Sequence, residues 1–389
     1  MDAIIHHPII GPILATLAII GVVLGVVAYL TLVERKVLAD FQVRLGPMRT
    51  GPHGLLQPIA DALKLLIKED IIPAEADKAI FWLAPVISTF TGLTAFAVVP
   101  FSKYLCLTDV NVGLLVISAM SAVGILGIIL GGWASNSHYP LLGALRSAAQ
   151  LVSYEVALSF ALLSGVMVAG TLSMQGIIHA QQSRGIWFIF SNYGFMIVPF
   201  VVYIIAGTAE TNRAPFDLPE AESELVGGFH TEYSGFRWSL YFLAEYTNIL
   251  VISSVAVTLF WGGWLRPFPS VPWLAALNYI VPLVVFAGSG LSSLTLVRKM
   301  KDPLQQKVLV GVALVLVLIG ALYMIPAVNA AASGIFWFLF KVSAIIYLMI
   351  WFRGTFPRFR YDQLMNVGWK VMIPVGMGAI LVNALLGLV

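Results

Sequence analysis

The chain has 389 residues, of which 59% are hydrophobic and only 11% charged, with a formal net charge of +3 and a mean hydropathy of +0.92. Soluble domains run near 45–50% apolar and about 25% charged, so a soluble enzyme, a disordered chain and a disulfide scaffold are excluded. The lone Cys106 excludes a Cys-ligated zinc site or an iron–sulfur cluster, and no Walker or GxGxxG pattern occurs.

Apolar runs long enough to cross a bilayer (roughly 17–25 residues each) recur along the chain, and continuous runs argue against the alternating strands of an outer-membrane barrel. Ten spans are expected, over residues 9–33, 80–100, 112–134, 150–170, 187–207, 239–262, 274–297, 307–328, 335–352 and 371–389. The fold class is therefore an all-α membrane protein, a single polytopic domain over 1–389. The first run reads as a span and not as a cleaved signal peptide, because Arg35-Lys36 follows it and no Lys or Arg precedes it. With the N-terminus outside, 18 of the 22 basic residues fall on the inner side and only Lys103, Arg184 and Arg266 on the outer, with Lys341 inside a span. One missed helix would invert that ratio downstream, so the positive-inside bias supports the layout.

After the first span, residues 53–70 place Leu55, Leu56, Ile59, Leu63, Leu66 and Ile67 on one helical side and Asp61, Lys64 and Lys68 on another. This is the pattern of an amphipathic helix lying along the membrane surface, although the same spacing also suits an ordinary solvated face. A quinone would need an apolar slot with polar groups at its end. The segment 34–64 offers both, with Glu34, Arg35, Arg44, Arg49 and Asp61 beside the Gly46-Pro47 and Gly51-Pro52 turns.

The 19 acids are unevenly spread: Glu210, Asp217, Glu220, Glu222, Glu224, Glu232 and Glu245 fall within 36 residues that hold only Arg213 and Arg237 as cations. Residues 208–238 read as an acidic cytoplasmic loop. Close carboxylates in a partly buried site cannot all ionise, and a water-linked line of them passes protons. For Glu220, Glu222 and Glu224 a plain solvated loop explains the charges equally well. Glu155 and Glu245 sit inside spans, where an acid costs about 2.5–3.5 kcal/mol on insertion scales and usually has a function.

Several stretches then resemble one family closely. Glu34-Arg35-Lys36, Arg44-Leu45-Gly46-Pro47-Met48-Arg49-Thr50-Gly51-Pro52 and Gln57-Pro58-Ile59-Ala60-Asp61-Ala62-Leu63-Lys64 carry the likeness near the start. Gly131-Gly132-Trp133-Ala134-Ser135-Asn136-Ser137 and Leu142-Gly143-Ala144-Leu145-Arg146 follow. The longest match runs from Ala209 through Arg213-Ala214-Pro215-Phe216-Asp217-Leu218-Pro219-Glu220 to Leu225 and on to His230-Thr231-Glu232-Tyr233, and the last is Phe356-Pro357-Arg358-Phe359-Arg360-Tyr361-Asp362-Gln363-Leu364-Met365. Together they resemble the H subunit of bacterial NADH:quinone oxidoreductase (complex I).

That resemblance implies a multi-pass subunit of the bacterial cytoplasmic (inner) membrane, with its N-terminus on the periplasmic side, joining a hydrophilic redox arm to a proton-pumping membrane arm. It implies quinone (ubiquinone or menaquinone) as substrate, with NADH, FMN and iron–sulfur clusters confined to partner subunits. Partners would be the hydrophilic-arm subunits carrying the terminal iron–sulfur cluster, small membrane subunits, antiporter-like subunits and lipid, with no nucleic acid. By resemblance, Glu34, Arg35, Arg44, Asp61 and Phe229 line the quinone chamber. Asp61, Glu155, Glu210, Asp217, Glu220, Glu222, Glu224, Glu232 and Glu245 form the acidic proton path, with Arg146 and Arg213 as cationic partners. No metal site and no catalytic residue of its own are implied. The family usually has eight spans, so residues 270–330 read as an inserted helical hairpin. Membrane-bound hydrogenases use relatives of this protein without quinone, a self-contained cation carrier would show repeated halves, and a structural anchor would leave Glu155 and Glu245 unexplained.

Overall fold

The computed structural model describes residues 10–218, 226–297 and 303–387. Among these the regular structure is helical throughout: α1 Ile10–Phe41, α2 Gln57–Ile67, α3 Lys78–Ala95, α4 Gly113–Ala134, α5 His138–Ala169, α6 Met174–Arg184 and α7 Ile197–Glu210, then α8 Gly235–Phe260, α9 Leu277–Val297, α10 Pro303–Leu322, α11 Pro326–Thr355, α12 Tyr361–Val367 and α13 Ile373–Gly387. Among the described residues nine helices are long and apolar enough to cross a membrane, α12 and α13 running together as one of them, and α7 adds a shorter apolar helix. The chain is an all-α membrane protein with about ten membrane helices.

The pattern of α1 shows how one helix serves two environments. Val23, Val27, Leu30 and Glu34 are buried, whereas Val22, Val26, Tyr29 and Val33 are exposed. Both series step by three or four residues, so one stripe packs on the bundle and the other faces lipid. At the centre stands α8: 78% of its most apolar window is buried, against 17% for α1 and 11% for the helix running into α9. Side chains of α8 join those of α1, α5, α7 and α11 in one apolar core.

The surface helix is shorter than its pattern suggests, covering Gln57–Ile67 where residues 53–70 were expected. Gly54 adopts a φ of +75°, Pro58 can stand only in the first turn, and the backbone at Lys68 turns extended. Ile59, Leu63, Leu66 and Ile67 are exposed along one side. The fifth span also begins later than expected. Asn192, Tyr193 and Gly194 all have positive φ, so residues 187–196 fold as short turns and the helix starts at Ile197. Helix α6 was not anticipated; Ser173 caps it by accepting from the Gly176 amide, and Gly185 ends it in a left-handed conformation.

Helices α9 and α10 pack side by side, with Gly290 against the Ala313 carbonyl region and Gly320 against Phe286. They dock on α11 through Phe286, Tyr323, Phe336 and Trp337, and the Asn329 amide donates to the Asn278 carbonyl at 2.7 Å. The tip of this hairpin lies outside the described residues.

Lys341 is only 2% exposed, at the middle of α11. Its ammonium donates to the carbonyls of Trp261 at 2.6 Å and Leu265 at 2.9 Å, and lies 4.8 Å from the Trp187 ring centroid. These carbonyls follow the last residue of α8, where the helix dipole favours a cation. Truncation would orphan both. Lys341→Ala is expected to destabilise the solubilised protein by roughly 1–3 kcal/mol, seen as a lower thermal midpoint, whereas a substitution of exposed Lys370 leaves the midpoint in place.

Candidate functional site

The site is built where four segments meet. The 211–218 segment leaves α7 and is fixed by Gln150 of α5, whose amide donates to the carbonyls of Ala209 at 2.8 Å and Phe216 at 2.7 Å. Phe216 stacks on Phe359 with centroids 5.5 Å apart, and the Phe359 amide donates to the Pro215 carbonyl. This double anchorage aims Arg213 into the bundle, where it is 6% exposed.

Arg213 joins two acids from different helices. Its Nη1 lies 3.0 Å from Glu34 Oε1 of α1, and its Nε lies 2.9 Å from Glu245 Oε1 of α8. Arg353, near the end of α11, also pairs with Glu34, and Arg213 sits 4.3 Å from the Tyr246 ring centroid. Burial opposes the charge of Arg213, but Glu245 and Glu34 outweigh it and raise its pKa above the ordinary arginine range. Glu34 is 4% exposed. Removing one member of such a buried group strands the others, at a cost of about 3–5 kcal/mol.

Two cavities meet at this hub. One is a narrow apolar slot between α1, α8 and α11, with a free volume of about 10 Å³, lined by Leu30, Ile249, Ile346, Met349 and Ile350, and closed by Glu34, Arg213 and Arg353. The other, with a free volume of about 100 Å³ among α3, α4, α5, α7 and α8, carries Ser88, Ser121, Asn212 and Asn248 with Glu245 and Glu210. Polar groups at that density, in a space of that size, accommodate several waters. The Ser121 hydroxyl donates to Glu210 Oε1. Glu155 lies within electrostatic reach of Glu210, and Asp217 within reach of Glu245.

Phe229 and His230 line the polar cavity. They are brought there by a close backbone approach: a Cβ on Gly143 of α5 would stand 2.7 Å from the Gly228 carbonyl carbon and from the Phe229 nitrogen. Phe229 packs edge-on against His230 and Tyr241, each centroid 5.1 Å away.

A second polar pair lies at the surface helix. Arg35 Nη1 is 2.8 Å from Asp61 Oδ2, both partly exposed; Gln57 donates to Asp61 Oδ1 at 2.8 Å and accepts from Thr50. One position along α1 thus turns the side chain from the buried Glu34 to the exposed Arg35.

The residues expected from the sequence divide accordingly. Glu34, Arg213 and Glu245 form one group, Arg35 and Asp61 another, and Glu210 stands across the polar cavity from Glu245, with Glu155 off the cavity wall but within electrostatic reach of Glu210. Arg44 stands apart, exposed and donating to Gln42, and Phe229 belongs to the aromatic cluster with Phe81, Tyr233 and Tyr241. Arg146 and Glu232 are half-buried. Glu220, Glu222 and Glu224 lie outside the described residues. Arg353 was missed because an arginine at a helix end reads as part of the inner charge bias. Ser121, Asn248 and His230 carry no pattern by themselves. The Arg237–Asp70 pair, at 3.0 Å with Arg237 buried, was also missed; Arg237 lies over the ring of Trp82.

Such an arrangement belongs to a polytopic membrane protein that holds ionisable groups between its helices, in contact with both an apolar slot and a polar cavity. A model described as NADH dehydrogenase matches residues 14–384. The chain is 75% identical, over its whole length and 99% of the relative, to the NADH-quinone oxidoreductase H subunit (number 2) of Solibacter usitatus (strain Ellin6076). It is 53% identical to the H subunit (number 1) of Koribacter versatilis (strain Ellin345), over 95% of this chain and 90% of the relative. To the H subunit (number 1) of Solibacter usitatus it is 42% identical, over 95% and 94%. The chain belongs to the NADH dehydrogenase family, as an H subunit of the NADH-quinone oxidoreductase type.

His230 lies outside the spans, and burial pushes its pKa down to about 4. The folded state therefore takes up this proton later than the unfolded chain as the pH falls. Its contribution to stability is intact above pH 6.5 and is lost between pH 6.5 and about 4, to a total on the order of 3 kcal/mol. Thermal midpoints are expected to fall between pH 7 and about pH 4.5, and to fall less in His230→Gln. An equal fall in both proteins would contradict a neutral, buried His230.

Proposed function

We propose that this chain forms the quinone-access slot of a proton-translocating NADH:quinone oxidoreductase, together with the acidic path that couples quinone reduction to proton pumping. The observation that carries this reading is the position of Arg213, between Glu34 at the end of an apolar slot and Glu245 at the wall of a polar cavity. Reducing a quinone to a quinol takes two electrons and two protons. The electrons would come from the terminal iron–sulfur cluster of a hydrophilic-arm partner, because this chain has no residues suited to hold one.

In this reading Glu34, Arg35, Arg44, Asp61 and Phe229 border the route of the quinone head group, which is ubiquinone or menaquinone. Asp61, with Arg35 and Gln57 already bonded to it, is placed to steer a polar head group past the surface helix. The slot walls of Leu30, Ile346 and Ile350 are apolar, as an isoprenoid tail requires, and would part to admit one. A charge change at the head group alters the field at Glu34. At an effective dielectric of about 20, a unit charge ~4 Å away is worth about 4 kcal/mol, enough to move protons among coupled carboxylates. Arg213 passes that bias to Glu245. Water in the polar cavity links Glu245 with Glu210 and Glu155, and Asp217, Glu220, Glu222, Glu224 and Glu232 complete the path, with Arg146 as a further cation. The small and antiporter-like membrane subunits would receive the displacement. The positive-inside bias supports a reading with this end of the bundle on the cytoplasmic side of the inner membrane and the N-terminus on the periplasmic side.

Glu245→Gln keeps the shape and one hydrogen-bonding oxygen but cannot ionise. In the assembled complex it is expected to lower coupled NADH:quinone reductase activity about tenfold, equivalent to ~1.4 kcal/mol in the barrier. NADH oxidation by a hydrophilic artificial acceptor should stay normal. Full quinone reduction with normal pumping in Glu245→Gln would remove the case for an acidic path through this residue.

A further inference from the structure

On the face opposite the 211–218 segment a separate cavity opens between the Ser102–Tyr104 turn, the Trp264–Pro269 loop and the first turns of α9 and α11, with a free volume of about 400 Å³. Its lining includes Lys103, Arg266, Gln182, Ser333, Trp264 and Trp337, and no carboxylate. Charge placement makes this unusual. The topology leaves only Lys103, Arg184 and Arg266 of the 22 basic residues on this face, and two of the three line one cavity. Arg184 is engaged elsewhere, donating to the Val168 carbonyl at 2.8 Å.

Arg266 is partly satisfied. Its Nη2 donates to the Pro269 carbonyl at 3.0 Å, while its Nη1 is buried without a hydrogen-bond partner. A buried guanidinium nitrogen left without an acceptor is costly. The Lys103 ammonium lies 5.6 Å from the Tyr104 ring centroid. Among the described residues neither cation has a carboxylate partner. The loop that presents Arg266 is held from the membrane side, because Lys341 bonds the Leu265 carbonyl at 2.9 Å and Trp187 Nε1 donates to the Arg266 carbonyl at 3.1 Å.

The depth of the cavity is marked by aromatic side chains at the helix ends. Tyr104 and Trp273 are each 78% exposed, as tyrosine and tryptophan are where rings sit at headgroup level. The third wall comes from the hairpin side, where Trp337 Nε1 donates to Asn278 Oδ1 at 2.8 Å.

We propose that this cavity binds the phosphate of an anionic phospholipid of the outer leaflet. Arg266 and Lys103 donate to the phosphate oxygens, Ser333 and Gln182 hydrogen-bond the polar part of the headgroup, and the tryptophans pack beside the glycerol. A lipid held there braces the α9–α10 hairpin against the Ser102–Tyr104 turn. The chemistry required is a phosphate at membrane depth on a headgroup of net negative charge; phosphatidylglycerol supplies it, whereas the quaternary ammonium of phosphatidylcholine would stand beside two cations and no carboxylate, and a free ion in solution is not held at that depth.

The test uses the assembled, delipidated complex in a neutral detergent, titrated with phosphatidylglycerol, with phosphatidylcholine and with inorganic phosphate while thermal stability is followed. Phosphatidylglycerol is expected to raise the thermal midpoint and phosphatidylcholine to leave it in place. In Lys103→Gln the half-saturating phosphatidylglycerol concentration should rise about tenfold, and in Arg266→Gln more, with NADH oxidation by a hydrophilic acceptor unchanged in the exposed Lys103 variant. Unaltered lipid dependence in Lys103→Gln and Arg266→Gln overturns the proposal. Equal stabilisation by inorganic phosphate assigns the cavity to a free anion and overturns the lipid reading as well.

Discussion

Arg213 lies deep in the bundle with almost no contact with water, and its charge is tolerated only because Glu34 and Glu245 stand 3.0 and 2.9 Å from its nitrogens. That arrangement constrains everything around it. Helix α1 must present Glu34 inward while its other face meets lipid, α8 must present Glu245 about three turns from its start, and the 211–218 segment must be fixed firmly enough to aim the guanidinium. Gln150 and the Phe216–Phe359 stack do the fixing. Helix α11 is held at two levels about 18 Å apart, by Lys341 against the end of α8 and by Arg353 against Glu34.

The same hub separates two environments that a coupling device needs side by side. An apolar slot ends on Glu34 and Arg353, and a polar cavity begins at Glu245 and continues to Glu210. Buried charges in a low-dielectric interior feel one another more strongly than they would in water. In the coupling proposed above, a change of charge in the slot would reach the cavity without any large movement of the helices, through redistribution of protons among Glu34, Glu245, Glu210 and their neighbours. The neutral His230 and the close packing at Gly143 keep the cavity wall in place without adding a competing charge.

Much of this was legible in the sequence, for physical reasons that differ by element. The all-helical architecture with about ten membrane helices was visible in the apolar runs, a constraint imposed by the membrane and readable without tertiary contacts; the expected orientation rests on the bias of Lys and Arg alone. Glu155 and Glu245 stood out because acids inside apolar runs are costly. The fifth span was misplaced because hydropathy cannot see the positive φ values at Asn192, Tyr193 and Gly194 that break the helix. Arg353 was hidden among the inner basic residues, and its pairing with Glu34 joins positions 319 residues apart, which no local pattern encodes. Phe229, assigned by resemblance to the quinone-chamber lining with Glu34, Arg35, Arg44 and Asp61, packs with Tyr241 and His230 because α5 draws its backbone in. The cavity that connects Glu245 to Glu210 is a property of five helices together and has no signature in any one of them.

The most direct measurement is a structure of the whole membrane assembly with a quinone analogue bound, at a resolution that shows ordered water. The account predicts the head group beside Asp61 and Glu34, and a chain of waters running from Glu245 past Asn248 and Ser121 to Glu210. A head group bound elsewhere, with the cavity dry or filled by lipid tails, would contradict it.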